Sequence, residues 1–320
     1  MTKKKIALVA GAAGFIGTHL TERLITKENY QVIGVDNFVT GSRDNIKHLS
    51  VYPEFTFLEH DIKDPMDIKE KVDVIFDMAC PASPTDFIPL KIEIIESTLG
   101  IYHLLQLARE KQAKFVFSSS SEVYGDALVN PQPEDYTGNV NTTGIRSAYD
   151  EGKRFGEAMV MAFHRKYKMD TRIVRIFNTY GERMRANDGR AIPTFINQAL
   201  KNEDVTVFGD GTQTRSPQYI SDLVSGIIKL TNSDITTPTN IGNPDEMTIN
   251  KLAEKIVNLT NSTSKLTHVP LPQIHDPKVR KPDISKAKSE LDWEPKVTFN
   301  EGMKKTIEWF KINTKRGDIF

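Results

Sequence analysis

The stretch that decides the fold is Ile6-Ala-Leu-Val-Ala10-Gly11-Ala-Ala-Gly14-Phe-Ile-Gly17-Thr-His-Leu-Thr-Glu-Arg-Leu24. Its first five residues are a short apolar run with the length of a buried strand, and Ile16 to Thr26 carries apolar residues at helical spacing. Three glycines separate the two. A strand that turns through glycines into a helix presents backbone amides at the helix N-terminus, where a pyrophosphate can be held and where a side chain would block its approach. Lys3-Lys4-Lys5 ahead of this run imitates a signal peptide, but the glycines and the helical continuation read as strand, turn and helix.

Working outward, Gln31 to Asp36 reads as a second strand and ends on a carboxylate, placed where it can accept hydrogen bonds from the hydroxyls of an adenosine ribose. A carboxylate there repels a 2′-phosphate, so NAD is expected rather than NADP, with Arg43 the one nearby residue that argues the other way. Further strands are expected at Phe55–Leu58, Val72–Ala79, Lys114–Ser118 and Thr171–Ile176, and further helices at Leu99–Lys111 and Glu151–Tyr167. Such alternation predicts an α/β fold with a doubly wound parallel sheet of the Rossmann type, whose ligands lie beyond the C-terminal strand ends. After about Asn178 the pattern loosens. Ser221–Leu230 reads as a helix and Thr239–Gly242 as a strand that returns to the main sheet, and a proline-dense stretch runs from Pro270 to Pro282. The expected division is therefore a dinucleotide domain of 1–178 with about 221–245, and a smaller, discontinuous substrate lobe of 179–220 with 246–320.

Composition narrows the function. The 320 residues carry 42 Lys plus Arg against 42 Asp plus Glu, and no basic block argues for nucleic acid. No apolar run is long enough to span a bilayer, so no membrane partner is expected. The single cysteine, Cys80, cannot form an internal disulfide, which suits a reducing, cytoplasmic compartment, and the seven histidines, His275 among them, show no metal-ligand spacing. Cys80 itself reads as a packed thiol.

The chemistry is expected where the fifth strand runs into Ser118-Ser-Ser-Ser-Glu-Val-Tyr-Gly125 and, further on, at Tyr149-Asp-Glu-Gly-Lys153. Residues four apart share a helix face, so the Lys153 charge lies one turn from Tyr149 and favours the phenolate. Such a base can take a hydroxyl proton while hydride leaves the same carbon for a nicotinamide, with Ser120 bonding the reacting oxygen.

With these residues in place, and with Ala79-Cys-Pro-Ala-Ser-Pro84, Ser121-Glu-Val-Tyr-Gly-Asp126, Arg146-Ser147, Arg175-Ile-Phe-Asn-Thr-Tyr-Gly181, Asp188-Gly-Arg190, Gln213-Thr-Arg215 and Arg280-Lys-Pro-Asp-Ile284 beside them, the chain resembles the extended short-chain dehydrogenase/reductases that modify nucleotide sugars. The resemblance covers nearly the whole chain and is strongest to the members that decarboxylate UDP-glucuronate to UDP-xylose. It implies NAD held by Gly11, Gly14, Phe15, Ile16, Gly17, Asp36, Asn37, Asp61, Ile62 and Ala79, with Tyr149 and Lys153 also touching the nicotinamide ribose. It implies a hydride step run by Ser120, Tyr149 and Lys153, with Glu122 and Ser121 managing the proton at sugar C5. Asn178, Arg190, Arg215 and Arg280 would hold a UDP-sugar, guanidinium forks being suited to phosphate and carboxylate oxygens. A homodimer paired through apolar helices is implied as well.

Departures from the family pattern gather around the expected sugar. Ser120 stands for the usual threonine, Ser97 for an asparagine, Glu182 for a proline and Ser121 for the acid of the dehydratases, and the loop Thr85 to Leu90 is one residue short. They leave open a C4 oxidase, 5-epimerase or 4,6-dehydratase acting on a UDP-amino or deoxy sugar, and a non-catalytic NAD-binding sensor.

Overall fold

The chain lays down strand and helix by turns: β1 (Lys5–Ala10), α1 (Phe15–Thr26), β2 (Tyr30–Asp36), α2 (Arg43–Lys47), β3 (Phe55–Glu59), β4 (Val74–Asp77), α3 (Pro84–Phe87), α4 (Lys91–Lys111), β5 (Lys114–Ser120), α5 (Ser147–Tyr167) and β6 (Thr171–Ile176). The computed structural model describes residues 4–89, 91–271 and 279–316. Lys3, Leu90, His275 and the centre of the proline-dense stretch lie outside the described residues.

All strand pairs of the main sheet are parallel, in the order Thr239–Ile241, β6, β5, β4, β1, β2, β3. Chain order reverses between β1 and β4, which opens a crevice at their C-terminal ends. Both faces are apolar, so the strands read as unbroken hydrophobic runs. Leu8, Ile75, Phe115 and Phe117 point to the side covered by Leu104, Leu105 and Ala108 of α4 and Val160 of α5. Ala7, Val9, Phe76 and Val116 point to the opposite side, under Leu20 and Leu24 of α1. Each of these residues, fully withdrawn from water, contributes on the order of 1.5–3 kcal/mol for the larger side chains.

The later chain adds α6 (Ala191–Leu200), α7 (Ile220–Asn232), α8 (Ile249–Thr260), α9 (Ser285–Leu291) and α10 (Phe299–Arg316), with the parallel strand pair Val205–Phe208 and Leu266–Val269. Its apolar side chains, Phe195, Val207, Ile256 and Phe310 among them, are continuous with the core under α1 and α7.

Among the boundaries that differ from the sequence reading, three stand beside the cleft. α4 starts at Lys91, well before Leu99, because Ile92, Ile95 and Leu99 face solvent and so blur the apolar stripe. α5 starts at Ser147 rather than Glu151, which places Tyr149 and Lys153 on one helix behind Arg146 at its N-cap. β5 runs on to Ser120 and passes into a single tight turn, Ser121–Tyr124.

Candidate active site

The glycine turn is fixed by close approach. Gly11 has φ +77°, and a Cβ there would meet the Met78 carbonyl oxygen at 2.7 Å. At Gly17 a Cβ would sit 1.9 Å from the Gly11 carbonyl oxygen, so only glycine lets α1 start so close to β1. Gly14 is the N-cap of α1 and supplies no side-chain cap, which leaves the first-turn amides of Phe15, Ile16 and Gly17 facing the crevice. At the tip of β2 the buried Asp36 carboxylate accepts from the backbone N–H of Ala13 at 2.9 Å and of Phe38 at 2.8 Å. Burial pushes its carboxyl up, and these amides pull it back down. Arg43 is turned to other work: it donates to Glu59 at 2.7 Å and lies 4.2 Å over the Phe38 ring.

Every residue that the sequence put forward for the site lines one cleft of about 990 Å³. Gly11, Asp36, Asn37, Asp61, Ile62 and Ala79 line one part of it, Ser120, Tyr149 and Lys153 another, and Ser121, Glu122, Asn178, Arg190, Arg215 and Arg280 the rest.

Tyr149 hydrogen-bonds with Ser120 and is 5% exposed. Its phenol is pushed up to about 12, burial outweighing the downward pull of Lys153 and Ser120. The lysine therefore acts in the expected direction without producing a phenolate by itself. Lys153 donates from Nζ to the Ser118 carbonyl at 2.8 Å. Burial disfavours its charge, but Cys80, Tyr149 and Asp77 together hold the ammonium above its ordinary value. Asp77, at the end of β4, accepts from the Ala79 N–H at 3.3 Å, and burial pushes it up to about 6 against the pull of Lys153. The Cys80 thiol is also pushed up by burial and donates to the Pro81 carbonyl, which makes it a packed thiol and a poor nucleophile.

At the sugar end, Glu122 Oε2 accepts from Arg146 Nη2 at 2.5 Å and from Arg280 Nη2 at 2.7 Å, all three residues being less than a tenth exposed. Arg146 Nε also stands 3.8 Å from Asp150 Oδ2, one helical turn on. Burial, then Glu122, drive Asp150 up to about 7 in spite of both arginines. Sequence reasoning chose Glu122 and Arg280 but passed over Arg146, Asp150 and Asp77. The available signal was the four-residue spacing of Arg146 and Asp150 ahead of the tyrosine motif. Arg190 forms a two-pronged pair with Asp188, 2.6 Å on the Nη2 side, and Arg215 Nη1 donates to the Thr214 carbonyl at 2.7 Å.

A doubly wound parallel sheet, a glycine turn at its crevice and a Ser-Tyr-Lys group beside it define an extended short-chain dehydrogenase/reductase. The family model of the GDP-mannose 4,6 dehydratases matches residues 8–306, and the chain belongs to that family. Among its relatives, UDP-glucuronic acid decarboxylase 5 of Arabidopsis thaliana is 46% identical over 95% of this chain and 89% of its own length. UDP-glucuronic acid decarboxylase 1 of Danio rerio is 45% identical over 96% of this chain and 73% of its own. Of solved structures, UDP-glucuronic acid 4-epimerase of Bacillus cereus, in complex with UDP-glucuronic acid and NAD, matches with TM-score 0.85 at 27% identity, over 96% of this chain and 99% of that one. The NAD-bound dTDP-glucose 4,6-dehydratase of Streptomyces venezuelae matches with TM-score 0.87 at 26% identity, over 97% and 98%.

Proposed function

We propose that the protein decarboxylates UDP-glucuronate to UDP-xylose with NAD as a resident cofactor. The observation that carries this reading is the pairing, in one cleft, of the Ser120-Tyr149-Lys153 group with a Glu122 carboxylate held between Arg146 and Arg280. The relatives named decarboxylases support it across nearly the full chain.

The chain fits NAD: the uncapped first turn of α1 suits the pyrophosphate, the glycines leave it room, and Asp36 suits the ribose hydroxyls while opposing a 2′-phosphate. Asn37, Asp61, Ile62 and Ala79 complete the walls of that part of the cleft. Bound there, NAD supplies a hydride acceptor for sugar C4 and afterwards the donor that restores it.

Tyr149 takes the O4 proton, Ser120 bonds that oxygen, and the Lys153 charge stabilises the tyrosinate that forms. A ketone at C4 makes the C6 carboxylate a β-keto acid, so the C5–C6 bonding pair can be accepted as an enolate while carbon dioxide leaves. Arg280 orients that carboxylate. Glu122 and Ser121 deliver the proton that forms the new C5–H bond, and Tyr149 returns its proton to O4. Asn178, Arg190 and Arg215 hold the nucleotide diphosphate.

In this reading residues 1–178 with about 221–245 hold NAD, and 179–220 with 246–320 hold the nucleotide sugar. A cytoplasmic homodimer completes it, supported by the lone Cys80 and by Ile95, Leu99, Tyr102 and Phe155, apolar side chains exposed on α4 and α5. Among the described residues no helix is long and apolar enough to cross a membrane.

Proton NMR of the purified protein with UDP-glucuronate and NAD tests the reading. Appearance of the UDP-xylose anomeric signal without net NADH is the expected result. UDP-galacturonate in its place, or an untouched substrate with turnover of a UDP-amino or deoxy sugar, would overturn it.

A further inference from the structure

The cluster at the sugar end holds two guanidiniums, Arg146 and Arg280, and two carboxyls, Glu122 and Asp150. With all four ionised the charges cancel. The side chains are less than a tenth exposed, so a further charge brought among them is poorly screened. UDP-glucuronate brings one: its C6 carboxylate is a third anion set against two cations.

The two carboxyls are not equivalent. Glu122 lines the cleft and accepts hydrogen bonds from both arginines, so its carboxyl is fully engaged by the two guanidiniums. Asp150 does not line the cleft. Its nearer oxygen stands 3.8 Å from Arg146 Nε, beyond a hydrogen bond, and its Oδ1 accepts no hydrogen bond among the described residues. The charged groups that face it are Arg146 at its own helix N-cap, Glu151 beside it, Glu122 from the turn after β5 and Arg280 from the C-terminal part of the chain. A buried carboxyl with one idle oxygen and two carboxyl neighbours is the group that gives up its charge first.

We propose that Asp150 is the proton-accepting partner of the acidic sugar: it takes up one proton when UDP-glucuronate binds and so keeps the cluster neutral. The inference rests on the decarboxylase reading and deepens it. It also balances the reaction. Loss of carbon dioxide leaves the C5–C6 electron pair on the sugar as an enolate, and the C5–H bond that follows needs one proton that the sugar does not supply. A protonated Asp150 holds that proton inside the cluster, so Asp150 is a positioning residue, acting through Arg146 and Glu122. The direction of its displacement, upward through burial and Glu122, agrees with this.

The test is calorimetric titration of the NAD-loaded Tyr149→Phe protein, in which turnover is slow against the titration, with UDP-glucuronate and with UDP-glucose, in two buffers of different protonation enthalpy near neutral pH. The expected result is uptake of roughly half to one proton per UDP-glucuronate in excess of UDP-glucose, and an affinity for UDP-glucuronate that falls up to about tenfold per pH unit above neutrality. Adding Asp150→Asn should abolish both the excess uptake and the pH dependence while UDP-glucose binding stays as it was. Equal uptake for the two sugars overturns the proposal and needs no change at position 150, and excess uptake that survives Asp150→Asn overturns it equally. Linked uptake in Tyr149→Phe together with no turnover of UDP-glucuronate by the unaltered enzyme would defeat the decarboxylase reading alone, whereas no binding of UDP-glucuronate would defeat both.

Discussion

Tyr149 carries the heaviest chemical demand of any residue in the cleft. Its phenol is pushed up to about 12 by burial, so the base form is scarce at neutral pH, and kcat should rise as pH is raised through the neutral range. Tyr149→Phe keeps the ring and removes the proton carrier. It should lower kcat by roughly 10²–10⁴-fold, with circular dichroism unchanged. Arg280→Gln should separate two steps: C4 oxidation persists, carbon dioxide release falls by about 10²-fold or more, and NADH fluorescence builds up in a single turnover, because Glu122 then keeps one guanidinium of two. Unchanged carbon dioxide release would remove Arg280 from the role given. The tyrosine and lysine were legible because a fixed spacing on one helix brings them together. The acid-arginine cluster was only half legible, since Glu122, Arg146 and Arg280 meet through the fold and no local pattern announces it.

Among the elements, the turn into α1 is the least tolerant. Gly17→Ala would place a methyl 1.9 Å from the Gly11 carbonyl oxygen, so the turn must open. The expected loss is on the order of 2–4 kcal/mol with NAD binding abolished, read by thermal melts with and without NAD. α1 is also tied to the later chain: Glu22 accepts from Arg183 at 2.7 Å and from His48 at 3.2 Å. These bonds, that from His48 first, hold its carboxyl down at about 2. A depressed carboxyl stabilises the fold above its unfolded value and loses that effect as pH falls. Glu22→Gln should therefore cost at most about 1 kcal/mol near neutrality, since the pair is partly exposed, and the difference should shrink as pH falls, vanishing only below the folded value of about 2. Strand and helix alternation was legible through both-face burial and glycine turns. The start of α4 was hidden because its first turns are apolar on the wet side.

At the scale of the whole molecule that wet apolar face becomes a prediction. Paired substitutions Leu99→Glu and Phe155→Glu should yield a monomer in sedimentation velocity with the secondary structure intact, and a wild-type protein already monomeric at micromolar concentration would remove the homodimer from the proposal. The tie between distant segments was partly legible: the sequence places a strand at Thr239–Gly242 that rejoins the main sheet, and Thr239–Ile241 pairs in parallel with β6. The continuous core joining the sheet to α6, α8 and α10 was not, because helical periodicity shows that a face is buried without showing against what.

That late pairing has a consequence for synthesis. A nascent chain that has emerged only as far as Ile176 can assemble six strands, yet the open side of β6 stays unmatched until Thr239–Ile241 has left the ribosome. Asn240, which accepts the Tyr124 hydroxyl at 2.8 Å and donates to the carbonyls of Gln132 and Asp283, is missing for the same interval. Translation therefore passes through a window in which a sticky edge is on offer to other chains, and stalling or truncation between these points should produce aggregates where the finished chain does not.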